Sequence, residues 1–173
     1  MVMGMTMAEK ILAVHSGKDK VVSGEYIYAN VDMVMGHDVS IPRAIRIFKE
    51  MGAKKVFDKD KVVIIEDHFV PNNNIDTAEQ CKLIRQFAVK QDITHYYPVG
   101  HGGICHAFLP ERGMIHPGEL VVAGDSHTTT YGALAALGMG IGATDIAAVM
   151  ALGRIWLKVP ETIKMELEGM PRQ

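Results

Sequence analysis

Residues 61–99 read KVVIIEDHFVPNNNIDTAEQCKLIRQFAVKQDITHYYPV, and the succession of patterns inside that stretch decides the fold. It opens with Val62, Val63, Ile64 and Ile65, a short β-branched run of the kind found in strands covered on both faces, as in a parallel sheet. Asp67 and His68 follow at its carboxyl end. From Asp76, the segment DTAEQCKLIRQFAVKQ offers a capping aspartate with Glu79 three residues on. Cys81, Ile84, Phe87 and Ala88 then recur at helical spacing. Residues 93–99 restore a strand pattern.

The same alternation extends in both directions. Upstream, Ser40 and Pro42 suit the first turn of a helix that places Ala44, Ile45, Ile47 and Phe48 on one face and stops at Gly52. Downstream, residues 119–123 form a third strand, with Gly124, Asp125, Ser126 and His127 just past its end. The low-polarity stretch 133–150 is broken by Gly138, Gly140 and Gly142 and reads as a loop running into a helix capped by Thr144 and ending at Gly153. The expected fold is a three-layer α/β/α domain with a largely parallel sheet, one domain over residues 1–173. In such sheets ligands collect beyond the carboxyl ends of the strands.

Composition sets the outer bounds. The chain has 173 residues, 48% of them hydrophobic and 22% charged, enough for a packed core without staples. Its formal charge of −2 gives no field that would draw a nucleic acid. The start, MVMGMTMAEK, lacks the basic and apolar regions of a signal peptide, and no stretch is long and apolar enough for a membrane span. Cys81 and Cys105 stand in no CxxC spacing, which fits a reducing compartment, with the cytoplasm as the default. The methionines among the first seven residues are assigned to a disordered start.

Two strand ends carry acid beside histidine: Glu66, Asp67 and His68 after one, Asp125, Ser126 and His127 after another. A carboxylate that holds an imidazole fixes its tautomer and prepares it for acid–base work. Neighbouring side chains on a strand point to opposite faces, so the partner of each can come from a different strand end. His106 follows a glycine-rich turn, HGGICH, whose three metal donors lack the second pair that a structural zinc site wants. Ser126, Thr128, Thr129 and Thr130 offer hydroxyls, and their backbone offers N–H groups, to a carboxylate or phosphate. Neither a P-loop nor a G-x-S-x-G nucleophile elbow is present. His15, His95 and His116 are read as surface or satisfied positions.

The segment GDSHTTTYGAL, followed by GMGIGATDIAAVMALGRIWLKVPETIK, resembles the aconitase superfamily, on the branch of the 3-isopropylmalate and homoaconitate dehydratases. MTMAEKIL, VDMVMGHDVSIP, IIEDHFVPNNN, GGICH and GDSHT occur in the family's order, so the resemblance covers nearly the whole chain. It implies an aconitase-like first domain of a longer large subunit, and a hydro-lyase acting on a hydroxy di- or tricarboxylic acid. The first substrate implied is 3-isopropylmalate, in leucine biosynthesis; homoaconitate and dimethylmalate are the alternatives. It further implies a [4Fe-4S] cluster with an open iron, held by cysteines outside this chain, so that no metal ligand is expected within it. The implied partner is a small, swivelling dehydratase subunit.

Carried over by position, Asp67 and His68 resemble the pair that protonates the departing hydroxyl, and His106 and Asp125 a second pair. His127 resembles a third histidine, with an acidic partner beyond this chain. Ser126 falls at a substrate-carboxylate contact, with Thr128 and Thr130 beside it, and His37 at a polar contact to substrate or cluster water. Ala107 stands where many relatives have glutamine. Two other readings remain: a cluster-free binding or assembly module, and a divalent-metal hydrolase built from Asp67, His68, His106, Asp125 and His127. All the enzymatic readings require those groups to converge on one edge of the sheet.

Overall fold

The computed structural model describes residues 4–169. Its first element is a helix, α1 (Met7–Ser16), fixed by a capping box in which the Glu9 N–H donates to Thr6 Oγ1 and the Thr6 N–H donates to the Glu9 carboxylate. The expected disordered start is thus corrected for Met5, which packs against the core, and Met7, which opens the helix. Met1 and Met3 lie outside the described residues. Next come β1 (Tyr26–Asn30), β2 (Met33–His37) and α2 (Ile41–Glu50), followed by β3 (Val62–Ile65), α3 (Ile75–Gln91) and β4 (His95–Tyr97). After α4 (Cys105–Glu111) and β5 (Leu120–Ala123), a 3₁₀ helix (Ser126–Leu134) leads into β6 (Leu137–Gly140), α5 (Ala143–Leu152) and β7 (Arg154–Lys158).

Five strands form one parallel sheet in the order β4-β3-β2-β5-β6, and β1 pairs with β7 in a separate antiparallel ribbon. Every residue of β2, β3 and β5 is buried. Successive side chains divide between two cores. Val34, Val62, Ile64, Leu120 and Val122 join the core under α2, α3, α5 and the ribbon. Met33, Met35, Val63, Ile65, Val121 and Ala123 join a smaller one with Cys105, Leu109 and Tyr131. That is the expected α/β/α arrangement, with a thin third layer made of α4 and the 3₁₀ helix. Each fully buried Val or Ile contributes about 1.5–3 kcal/mol, so both faces hold the sheet.

Helix starts differ in detail from the sequence reading. Asn74, not Asp76, caps α3 by accepting the Thr77 N–H at 2.9 Å, which leaves Asp76 in the first turn, where its charge favours the helix dipole. Gly142 precedes α5, and Thr144 lies inside it. Among the described residues no helix is long and apolar enough to cross a membrane.

The strand order matters most for function. From β2 the chain moves outward through β3 to β4, then returns to lay β5 against the other side of β2. Between β2 and β5 the winding therefore reverses, and a crevice opens beyond their carboxyl ends.

Candidate active site

Three segments reach that crevice: His37 and Asp38 from the end of β2, Asp67 and His68 from beyond β3, and Asp125 to His127 from beyond β5. Gly36 and Gly124 let them close up. A Cβ on Gly124 would lie 2.4 Å from Ser40 Oγ and 2.5 Å from Ser40 Cβ, and one on Gly36 would lie 2.4 Å from the Ile41 side chain. The start of α2 thus sits directly on the ends of β2 and β5.

Asp38, which is fully buried, organises the β3 loop. Its Oδ1 accepts the backbone N–H groups of Asp67 (3.3 Å) and His68 (3.0 Å), and its Oδ2 accepts that of Phe69. Asp67 in turn takes the Cys105 N–H at 2.7 Å on Oδ2 and lies 2.6 Å from His68 Nδ1 through Oδ1. One carboxylate therefore fixes an imidazole and the start of α4 together. Glu66 turns away from the crevice, accepting the Tyr96 hydroxyl at 2.7 Å and the Val99 N–H at 3.3 Å.

Asp125 is the hub of the opposite wall. His106 Nε2 lies 2.8 Å from Oδ1, the His127 N–H donates to the same oxygen at 2.6 Å, and His127 Nδ1 is 3.2 Å away. Oδ2 is bracketed by His37 Nε2 at 3.4 Å and His68 Nε2 at 3.6 Å. Burial works to raise the Asp125 carboxyl. The hydrogen bonds from His106 and the His127 backbone, with the charges of His106 and His37, outweigh it and hold the group down to about 2. With its Nε2–H on that carboxylate, His106 turns Nδ1 to the Tyr131 hydroxyl at 3.0 Å.

The acids and histidines expected to converge beyond the strand ends do so, with His37 alone withdrawn from the surface. Asp67, His68, His106, Asp125, Ser126, His127 and Thr130 line a cleft of about 620 Å³, together with Thr129, Ile104 and Cys105. His37 lies behind that surface, buried against His68. Thr128 is a correction: it is fully buried, its hydroxyl donates to the Asp125 carbonyl at 2.6 Å, and it holds the turn instead of facing the cleft. His127, expected to find its acid beyond this chain, here rests on Asp125. Sequence reasoning missed Asp38 and Tyr131, and it grouped Glu66 with Asp67 and His68 although Glu66 turns to Tyr96 and Val99 instead. The GHD triplet after an apolar run was the available signal for Asp38; nothing local marked Tyr131. His15 and His116 are satisfied as expected, by Asp32 and Glu119.

The donor set argues against a metal centre. His37, Asp38, Asp67 and His68 offer ligand atoms within 4.8 Å of one another. Each oxygen of those two carboxylates already faces an N–H group, so the set is built as a hydrogen-bond network. The HGGICH donors also diverge, with His106 turned to Asp125 and Cys105 buried. A cubane iron–sulfur cluster, which takes thiolate ligands, does not fit these residues either. The chain has two cysteines, both buried, and burial pushes both thiols up, away from the thiolate form.

A sequence model of the aconitase family (aconitate hydratase) matches residues 9–173. The chain is 57% identical over 165 residues to a 3-isopropylmalate dehydratase large subunit of Caldicellulosiruptor saccharolyticus, covering 95% of this chain and 38% of that one. It is 55% identical over 167 residues to the protein of that name from Syntrophus aciditrophicus, covering 96% and 40%. With that of Acetivibrio thermocellus it shares 52% identity over 169 residues, covering 98% and 40%. The chain thus spans about two fifths of the length of these relatives.

Proposed function

The chain belongs to the aconitase family, and from that premise we propose that it is the first domain of a 3-isopropylmalate dehydratase large subunit. In this reading it supplies acid–base groups for removing and re-adding water on a hydroxy dicarboxylic acid. The observation that carries the proposal is the meeting of two acid–histidine pairs, Asp67–His68 and Asp125–His106, at one cleft beyond the strand ends.

Dehydration breaks a carbon–oxygen bond, and hydroxide leaves poorly near neutral pH unless it takes a proton. His68 is the group for that proton. Asp67 holds its Nδ1, about a third of the side chain is exposed to the cleft, and Nε2 is directed inward toward Asp125. His106, gripped between Asp125 and Tyr131, is the second imidazole of the cleft, oriented by a carboxylate that stays ionised. Ser126 and Thr130 present hydroxyls to a substrate carboxylate. No residue here is assigned the base that takes the carbon-bound proton. In this reading the cluster's thiolate ligands come from the remainder of the longer subunit, and a small dehydratase subunit is the partner. Two unpaired buried thiols fit a reducing cytoplasm.

The test uses a full-length large subunit carrying these residues, assembled with its small partner and given 3-isopropylmalate. His68→Asn should lower kcat by about 10²- to 10⁴-fold with little change in KM, because the loss falls on the transition state. His95→Asn, at the sheet edge, should stay within a few-fold of wild type. A His68→Asn enzyme with near-normal kcat would remove the assignment.

A further inference from the structure

The family resemblance implies for His37 a polar contact to substrate or cluster water, yet the residue is only 3% exposed, and Nε2 has no hydrogen-bond partner among the described residues. Its other nitrogen settles the tautomer. Nδ1 accepts the Val39 N–H at 3.2 Å, so the lone pair sits on Nδ1 and the proton on Nε2. That buried N–H lies 3.4 Å from Asp125 Oδ2, beside the carboxylate without forming a hydrogen bond to it. The ring lies parallel to His68, with centroids 3.8 Å apart and planes at 13°. His68 Nε2 approaches the same Asp125 oxygen at 3.6 Å.

We propose that His37 is a positioning residue: a buried imidazole in its Nε2–H tautomer that sets its proton beside Asp125 Oδ2 and its ring face against His68, fixing the two against each other. Asp125 joins the walls of the cleft, since its other oxygen holds His106 and His127. A partner that itself gained charge would be driven from an adjacent imidazolium. His37 avoids this: burial lowers its pKa, and the neighbouring His68 lowers it further, against the opposing pull of Asp67, Asp125 and Asp38. His68 can then change protonation over a floor that does not.

Two measurements decide it. In this chain, long-range ¹⁵N–¹H correlation of the histidine rings should show His37 protonated at Nε2 and bare at Nδ1, unchanged from about pH 8 to pH 6. A proton on Nδ1, or a second proton gained in that range, overturns the proposal. The second arm rests on the dehydratase reading and uses the assembled enzyme. His37→Phe keeps a stacking ring and deletes the N–H, while His37→Gln keeps a donor near Nε2 and deletes the ring. Each should lower kcat about 10- to 100-fold, hold KM within about threefold and displace the pH profile of kcat, because misplaced reacting groups lose rate more than binding. A raised KM with unchanged kcat in both variants overturns positioning in favour of substrate contact. If the wild-type assembly fails to dehydrate 3-isopropylmalate, the dehydratase reading falls, and the ring spectra still decide the tautomer and so the proposal.

Discussion

The buried carboxylate of Asp38, at the end of β2, accepts the backbone N–H of His68 at 3.0 Å from a loop 30 residues further along the chain. With the N–H groups of Asp67 and Phe69 on the same carboxylate, this single side chain sets where the imidazole enters the cleft. Asp38→Asn would turn an amide NH₂ toward backbone donors that need an acceptor. Unfolding in urea should show a loss of about 2–4 kcal/mol, the cost of leaving buried donors unpaired around a neutral group. A loss under about 1 kcal/mol would mean that the loop is held by something else.

Asp125 makes stability depend on acid. Its folded carboxyl, at about 2, lies below the ordinary 3.8, so its contribution is fully present above about pH 4 and disappears as pH falls through about 2. The contribution is about 2 kcal/mol. Between pH 5 and pH 2.5, wild type should therefore lose more stability than Asp125→Asn, which starts lower and has no such carboxylate to protonate. Parallel losses in the two proteins would show that the His106 contact contributes nothing.

Tyr131→Phe separates orientation from packing. The ring is fully buried and stays, while the hydroxyl 3.0 Å from His106 Nδ1 goes. The expected stability change is about 1 kcal/mol, one modest hydrogen bond. On the dehydratase reading, kcat of the assembled enzyme should fall about tenfold as His106 loses one of its two anchors. A change confined to KM would place Tyr131 in substrate binding instead.

Gly124→Ala tests the close approach of α2 to β5. The added methyl would meet Ser40 Oγ and Cβ at 2.4 and 2.5 Å, and the backbone Cβ position cannot swing away as a long side chain can. Overpacking of this kind should cost about 1–3 kcal/mol in a thermal melt and disturb the neighbouring Asp125. Ser40→Gly in the same chain should restore most of the loss. No restoration would locate the strain elsewhere.

How far the sequence carried the fold depended on which strands declare themselves. β3 and β5 are unbroken apolar runs and were legible. β2, the centre of the sheet, was not, because MVMGH has one β-branched residue and a glycine where a strand signal is sought. β6, LGMG, was read as part of a loop for the same reason, although its backbone pairs with β5 from Leu137 to Gly140. The ribbon strands YIYAN and RIWLK alternate cleanly, but each is decided by a partner at the far end of the chain. At the site, the acids and histidines stood at strand ends and could be named. The groups that orient them could not: Asp38 acts through backbone N–H groups of a distant loop, and Tyr131 through a ring on another element. Thr128 and His37 showed the converse, polar side chains whose direction follows from packing that no local pattern reports.

The return of the chain from β4 to β5 also fixes an order of assembly. During synthesis β2 gains β3 as a neighbour soon after both have emerged, whereas its other side stays open until residues 120–123 follow. In the interval Met33, Val34 and Met35 present an unpaired, apolar strand side of the kind that seeks other chains. The crevice cannot exist before that pairing, since Asp125 arrives only with β5, so the assembly of the cleft and the covering of the open side of β2 come from one late, long-range event.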